Sequence, residues 1–504
     1  MAKGLLWCVV RISRPYQVLS LTAIATFLVS LDVSIVVVAR GEIEETFGRD
    51  QANILTWVFS AYSIAYAAGL LTAGRFADVF GRKRSFLRGL IIFSIGSVMC
   101  GFAPSAITLV LARVVQAIGG AQLTPASIAL VLPEFPVEKR TQAIAIWGSV
   151  GGLAAALGPS AGGVLVEWWG WRSLFFVNIP FCLFTVLVGR KILHESKDEN
   201  AHRKVDYPSV VLGFSGVALV VLAISQSEEW GFVDIRSGIA MAIGLILIGG
   251  FIRRCHIAES PLLDLSLFKL PFVVASNLSG VLFSVGFIGM WLLNTTWLQE
   301  VWDYSVVRSG LATFAGPATA AFIAPFAGKY AMKWGHARVL FAGSVMLSFG
   351  TLMMTNLITT EPNFVTHYLP WMLVTGMGVG LCISTLSSAA TAFLPPAKFA
   401  MGSALNTTTR QIGTALGSAI ALTVAAPAFK QVYSLGQRAQ DAAASGSPLV
   451  WVDETAKLDL SAYHTAWNIN GVLYIIAGIL MILIYRKPTD AQLASAGAKV
   501  TFED

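Results

Sequence analysis

The chain reads as an all-α polytopic membrane protein built from two related halves, and three observations carry that reading. Hydrophobic residues make up 55% of 504 residues while charged residues make up only 12%, against about 25% in soluble domains. Mean hydropathy is +0.69, an apolar surplus too large for one soluble core, so the bilayer must act as solvent. Finally, Gly74-Arg-Phe-Ala-Asp78-Val-Phe-Gly81-Arg82-Lys83-Arg84 returns in worn form as Gly328-Lys-Tyr-Ala-Met332-Lys-Trp-Gly335-His-Ala-Arg338, each copy lying between apolar runs. A repeat at that distance marks two pseudo-symmetric helix bundles.

Runs of about 20 apolar residues, the length that crosses a bilayer, occur near 17–39, 54–73, 85–103, 105–131, 141–166 and 173–190. Two more lie near 207–226 and 236–252. Six follow, near 271–297, 309–328, 339–358, 368–392, 401–427 and 466–485. The expected organisation is an N-terminal six-helix bundle over 1–190, a linker with two additional spans over 191–270, and a C-terminal six-helix bundle over 271–504. The last includes an outer loop near 428–465, polar and Ala/Ser-rich, and a short cytoplasmic tail. The first span follows Lys3, Arg11 and Arg14 like a signal peptide, but its length, Asp32 and the lack of a small-residue cleavage site favour retention.

Basic residues set the orientation. Arg75, Arg82, Lys83, Arg84 and Arg88 fall on one side with Lys139, Arg140, Arg190, Lys191, Arg253, Arg254, Lys329, Lys333 and Arg486. The opposite connections carry Glu42, Glu44, Glu45, Glu228 and Glu229. By the positive-inside rule both termini are cytoplasmic. The net charge of +7 is spread over these alternate loops, not gathered into the patch a nucleic-acid partner needs. Cys8, Cys100, Cys182, Cys255 and Cys382 stand singly, without metal spacing or a disulfide framework, and read as packing residues. No Gly-x-x-x-x-Gly-Lys-[Ser/Thr] phosphate loop, metal cluster or Ser/His/Asp grouping occurs. An enzyme and an ATP-driven pump are therefore both disfavoured, and no cofactor or metal is expected.

Ionisable residues deep in the spans are few: Asp32, Arg113 and Arg410. Each demands a function or a partner, because a charge in the membrane costs a few kcal/mol even on permissive scales. Asp32 lies about 20 Å along the outward-running first span, and Arg113 roughly 12 Å from the outer end of the inward-running fourth. Their depths nearly coincide in the outer half of a core about 30 Å thick. Either they form a fixed bridge between spans one and four, or Asp32 is an exchangeable carboxylate tuned by Arg113. Burial favours its neutral form and the guanidinium its charged form.

Span five carries a smooth glycine face, Gly151, Gly152, Gly158, Gly162 and Gly163, with Pro159 favouring a bend. Span thirteen repeats the pattern at Gly413 and Gly417, so these two helices are expected to meet near the pseudo-symmetry axis. Phe283, Phe287 and Trp291 recur at helical spacing in span nine, with Asn294 a turn beyond; Phe59, Tyr62 and Tyr66 do so in span two. Such stripes serve packing or line a cavity. An aromatic wall with one carboxylate suits lipophilic cations.

These elements together resemble the major facilitator superfamily, and within it the fourteen-helix drug:proton antiporter branch. The Gly74–Arg84 segment resembles the superfamily's loop signature between helices two and three. Leu111-Ala-Arg113-Val-Val-Gln116-Ala117-Ile-Gly119-Gly120 is similar to the span-four element, with Ala117 where glycine is usual. Gly158-Pro159-Ser-Ala-Gly162-Gly163 resembles the antiporter motif, with Ala154 in place of its upstream glycine. Trp171-Arg172-x-x-Phe175-x-x-Asn178-x-Pro180 and Asn406-Thr-Thr-Thr-Arg410-Gln411-Ile-Gly413-x-x-x-Gly417 are similar to two further hallmarks of the branch. The first span keeps Leu31-Asp32-Val-Ser34, but Val37 and Arg40-Gly41 replace the usual asparagine and Leu-Pro pair.

The resemblance implies a proton-coupled multidrug exporter working by alternating access in the bacterial cytoplasmic membrane, as a monomeric transport unit driven by the proton gradient without ATP. Its partners would be the lipid bilayer, small-molecule substrates and protons. It implies a conformational latch at Gly74, Asp78, Gly81, Arg82 and Arg84, and gating or packing at Arg410, Gly413 and Gly417 as at Gly158, Pro159, Gly162 and Gly163. It implies that Phe283, Phe287, Trp291 and Asn294 of span nine line a substrate cavity, with Tyr62, Tyr66 and Gln116 as further candidates. A dedicated exporter of one endogenous lipid or metabolite is the alternative, and a non-transporting membrane sensor or scaffold the reading from a different class.

Overall fold

A computed structural model describes residues 13–48, 52–196, 206–226, 234–258, 261–395, 398–445 and 461–489. The described residues form helices and connections. The N-terminal helices are α1 (Arg14–Val38), the short α2 (Arg40–Phe47), α3 (Ala52–Phe80), α4 (Arg82–Gly101), α5 (Ala106–Val131), α6 (Val137–Trp169), the one-turn α7 (Ser173–Phe176) and α8 (Asn178–Ile192). The central pair is α9 (Tyr207–Ser225) and α10 (Ile235–Ile257). The C-terminal helices are α11 (Pro271–Thr296), α12 (Val306–Trp334), α13 (His336–Leu357), α14 (Leu369–Ala389), α15 (Phe399–Ser445) and α16 (Ser461–Ile484). Eleven helices among the described residues are long and apolar enough to cross a membrane. Large apolar side chains such as Ile95, Ile107, Leu111, Ile246 and Phe322 stand exposed on their outer faces, as lipid contact requires.

Local chemistry sets the breaks. The repeated motif, expected as a loop, is helical almost throughout and turns on one residue in each copy. Gly81 (φ 105°) separates α3 from α4, and Gly335 (φ 90°) separates α12 from α13. Only glycine adopts that backbone without strain, so a single residue reverses the chain and keeps both flanking helices full length. At the start of α5 a capping box serves the same end: Ser105 Oγ accepts from the Thr108 amide, and Thr108 Oγ1 accepts from the Ser105 amide at 3.0 Å.

The two bundles repeat one packing plan. In the N-terminal half α1 lies on α6, α3 and α4 on α5, and α8 on α4; in the C-terminal half α11 lies on α15, α12 and α13 on α14, and α16 on α13. The halves meet through α6 on α12 and α3 on α15. The two glycine-faced helices, expected to meet near the pseudo-symmetry axis, both lie on this seam, but each makes its main contact across the halves with another helix. Their smooth faces are used chiefly inside each half, although a Cβ on Gly163 would lie 3.4 Å from Val307 Cγ2 of α12. A Cβ on Gly158 would lie 2.0 Å from Ser34 Oγ and one on Gly162 2.8 Å from Ile35 Cγ1, both on α1. Those on Gly413 and Gly417 would meet the Val281 and Val285 carbonyls of α11 at 2.6 and 2.3 Å.

The central pair sits outside this seam. α9 packs on α3, α10 and α15, with Val217, Val221 and Ile224 against Ala67, Ala68, Ala415 and Ala419. Arg254 Nε donates to Asp206 Oδ2 at 3.0 Å, tying α10 to the start of α9, and holds the Asp206 carboxyl below its ordinary range. The stretch expected as an outer loop from 428 is helical as far as Ser445, because Gln-Arg-Ala-Gln-Asp-Ala-Ala-Ala, though polar, consists largely of good helix formers. Residues 446–460 of that loop, Cys8, and Glu228 and Glu229 lie outside the described residues. So do the side chains of Val37, Arg40 and Pro159.

Candidate functional site: a buried carboxylate held by four helices

Asp32 sits in the C-terminal part of α1 with no accessible surface, and three side chains from two other helices donate to it. Arg113 NH1, on α5, bonds to Asp32 Oδ2. Gln116 Nε2, one turn further along α5, donates to Asp32 Oδ1 at 2.7 Å. Asn178 Nδ2, the first residue of α8, reaches the same oxygen at 3.3 Å. Ser97 on α4 closes the network by accepting from Gln116 Nε2 at 2.7 Å and Asn178 Nδ2 at 3.1 Å. Arg113 also donates to Gln116 Oε1 at 2.8 Å and to the Val58 carbonyl at 3.3 Å. Its guanidinium carbon lies 4.1 Å from the Tyr62 ring centroid and 5.8 Å from that of Phe175. Ring faces stabilise a desolvated cation where water cannot.

Both charges are therefore buried, paired and hydrogen-bonded, the condition under which a membrane tolerates them. The arrangement has a chemical consequence. While the acid is ionised, the bonds from Gln116 and Asn178 are charge-assisted and that from Arg113 is a full ion pair. A proton on the carboxyl would weaken the bonds from Arg113, Gln116 and Asn178 together, and with them the attachment of α1 to α5 and α8.

The structure distributes the other expected site residues as follows. Gln116, expected in a cavity wall, belongs to the Asp32 network. Tyr62 stacks on Tyr66 with centroids 6.0 Å apart, and Tyr66 Oη pairs with Thr124 Oγ1 at 2.8 Å. Phe283 stacks on Phe287 at 5.7 Å and is buried against Tyr474 of α16. Asn294 is buried between Trp467 Nε1, 3.1 Å from its Oδ1, and Met372 Sδ. These two serve the packing of the C-terminal bundle, while Phe287 and Trp291 keep partial exposure. The sequence did not single out Asn178 as a ligand of Asp32, nor Ser97 as the residue that holds Gln116 and Asn178. Asn178 stands in a recognised motif, whereas Ser97 is one of three serines in its span and carries no distinguishing signal.

At the helix ends that carry it, the repeated motif brings the halves together. A Cβ on Gly74 would lie 2.7 Å from Ala404 Cβ of α15 and 3.1 Å from the Ala400 carbonyl oxygen; one on Gly328 would lie 3.0 Å from Gln142 Cα of α6. Asp78 bonds to Arg82 at 3.3 Å, both buried, and Arg82 reaches the Ala129 carbonyl at 3.5 Å. Arg84 pairs with Glu195, beyond α8, at 3.6 Å. These bonds brace the N-terminal bundle, and the glycines make close contacts across the halves.

Two six-helix bundles in a repeated plan, a seam between them and a buried ion pair in one half define a polytopic membrane transporter. Residues 22–418 match the Major Facilitator Superfamily, and the chain belongs to that family; it is a transporter and not an enzyme. It is similar to the multidrug resistance protein Stp of Mycobacterium tuberculosis, 32% identical over 405 residues, 79% of this chain and 74% of that one. The puromycin resistance protein of Streptomyces alboniger is 31% identical over 489 residues, covering 95% of this chain and 92% of its own length. Among solved structures the proton:xylose symporter XylE superposes with a TM-score of 0.62 over 94% of this chain and 96% of its own, at 12% identity, a likeness of fold alone.

Proposed function

We propose that this chain is a proton-coupled exporter of lipophilic organic compounds, cationic or amphiphilic, working by alternating access. The observation that carries the proposal is the Asp32 network: an ionisable carboxyl with no accessible surface, bonded to Arg113, Gln116 and Asn178. Its protonation changes the cohesion of four helices. Relatives named for multidrug resistance support export as the direction. In this reading the chain crosses the bacterial cytoplasmic membrane fourteen times (about 20 residues per crossing), with both termini cytoplasmic, and works as a monomer without ATP. Asp78, Arg82 and Arg84 brace the N-terminal bundle, and the contacts of Gly74 and Gly328 close the cytoplasmic side in one state and part in the other.

A second reading, a dedicated exporter of one compound, is favoured by a relative that matches nearly the whole chain and is named for puromycin alone. Proton release from the purified protein, measured over a panel of dyes, drugs, lipids and metabolites, separates the two. Release with many unrelated lipophilic compounds supports the first and release with one compound the second. Release with none removes proton-coupled export.

A further inference from the structure

The C-terminal half encloses a cation of its own, Arg410, for which the described residues supply no paired carboxylate. Arg410 lies about 16 Å along α15 from Phe399, near the middle of the membrane. It is surrounded by helices yet keeps part of its surface accessible, so it borders open space inside the molecule, with Tyr66 of the other half within electrostatic reach. No carboxylate pairs with it among the described residues. Of its five N–H donors, one makes a long contact of 3.5 Å to Ser387 Oγ, and the Nε proton is buried without a partner.

Its surroundings are donors in the same condition. Asn406, one turn earlier on α15, is buried with its Nδ2 unpartnered. A Cβ on Gly280 of α11 would touch both groups, at 3.3 Å from Arg410 Cγ and 3.7 Å from Asn406 Nδ2. Gly280 thus leaves the space that lets these side chains lie side by side. Ser384, a turn from Ser387 on α14, is also buried with its hydroxyl unpartnered. Native proteins seldom leave several buried donors unsatisfied in one place, and a lone cation in the membrane is costlier still.

We infer that Arg410, Asn406 and Ser387 form a binding site for the anionic group, a carboxylate, sulfonate or phosphate, of an amphiphilic substrate. A planar guanidinium beside an amide N–H matches such an oxyanion in shape as well as charge. The inference rests on the transport reading above and narrows its substrate class: the lipophilic body is accompanied by at least one negative charge, read by the C-terminal half, while the proton is handled by Asp32 in the N-terminal half.

The test is a binding measurement that needs no gradient. The intact protein in phosphatidylcholine nanodiscs is titrated with pyrenebutyrate and with its uncharged methyl ester, and binding is read by pyrene fluorescence. The wild type should bind the acid roughly tenfold more tightly than the ester, the scale of one charge-assisted contact. Arg410→Gln should bring the two to parity with ester affinity unchanged. Arg410→Lys should keep about half of the preference on a logarithmic scale. If Arg410→Gln does not insert, Asn406→Ala, which leaves the guanidinium in place, should narrow the preference roughly threefold. Equal binding of acid and ester by the wild type overturns the inference, as does a full preference in Arg410→Gln or, where that variant is lost, in Asn406→Ala. Absence of proton-driven transport alongside an intact preference would instead remove the transport reading and leave this site standing.

Discussion

Gln116 stands between the two charges of the N-terminal half: its Nε2 donates to Asp32 at 2.7 Å while its Oε1 accepts from Arg113 at 2.8 Å. The amide continues the ion pair into a ring of bonds, so a change of charge at Asp32 is felt by α1, α4, α5 and α8 together. A surface ion pair would transmit nothing of the kind, because water would replace each lost bond.

Asp32→Asn should abolish uphill export while leaving insertion and folding intact. Asparagine matches the carboxylate in size and can still bond to Arg113, but it cannot take up and release a proton. Transport by proteoliposomes under an imposed pH gradient is the measurement, with detergent-solubilised yield as the folding control. Full gradient-driven accumulation by this variant would exclude Asp32 as the coupling group.

Arg113→Ala should damage transport more than Arg113→Lys, and both should move its pH optimum. Alanine leaves a buried carboxylate with no cation, a loss on the order of 3–5 kcal/mol for a buried pair. Lysine restores the charge without the fork that reaches Asp32, Gln116 and the Val58 carbonyl at once. An unchanged pH profile in both variants would mean that the pair only fastens α1 to α5.

Gly158→Ala and Gly152→Ala should differ sharply although they lie on the same helix. An added methyl at Gly158 meets Ser34 at 2.0 Å, two residues from Asp32, whereas nothing lies within 4 Å of a Cβ on Gly152. Overpacking of this kind costs roughly 1–3 kcal/mol, while alanine in an open helical site is neutral or better. Thermal unfolding in detergent should show a lowered midpoint for Gly158→Ala alone. Equal midpoints would mean that α1 and α6 are free to part.

How far these features were legible in the sequence depended on residue type. Asp32, Arg113 and Arg410 were visible because a charge inside an apolar run has no routine explanation. Ser97 was not, since a single serine bonds to its own helix backbone as readily as to a partner. The repeated motif revealed two halves, but it read as a loop because its polar residues mask a helix that turns only at Gly81 and Gly335. The glycine faces of α6 and α15 were plain, yet a smooth face does not say which helix fills it. Ser34 and Ile35 of α1, and Val281 and Val285 of α11, do so, and that pairing is set by packing across long sequence separations.

The central helices should lie off the transport path. They pack against the outside of the α3 and α15 seam and contribute no group to the Asp32 network. In a background freed of native cysteines, single cysteines through α1, α5, α11 and α14 should react with a membrane-impermeant thiol reagent and be protected by substrate. Those in α9 and α10 should show no substrate protection. Protection in that pair would place them in the cavity wall.

Substrate charge should decide how strongly export responds to voltage. With one exchangeable carboxyl per cycle, one proton entering for one monovalent cation leaving moves no net charge, and only the pH gradient drives the exchange. Efflux of such a cation should collapse when nigericin dissipates the pH gradient and persist when valinomycin with potassium dissipates the potential. For a monovalent anion the same cycle carries two positive charges inward, each worth about 2.3 kcal/mol per 100 mV, so its efflux should fall steeply under valinomycin. A strong voltage response with the cation would require a second proton site. Glu300 and the neighbouring Asp303, in the connection between α11 and α12, are the residues to substitute first, because a second site on them would add one proton charge to the cycle and its loss would restore indifference to the potential.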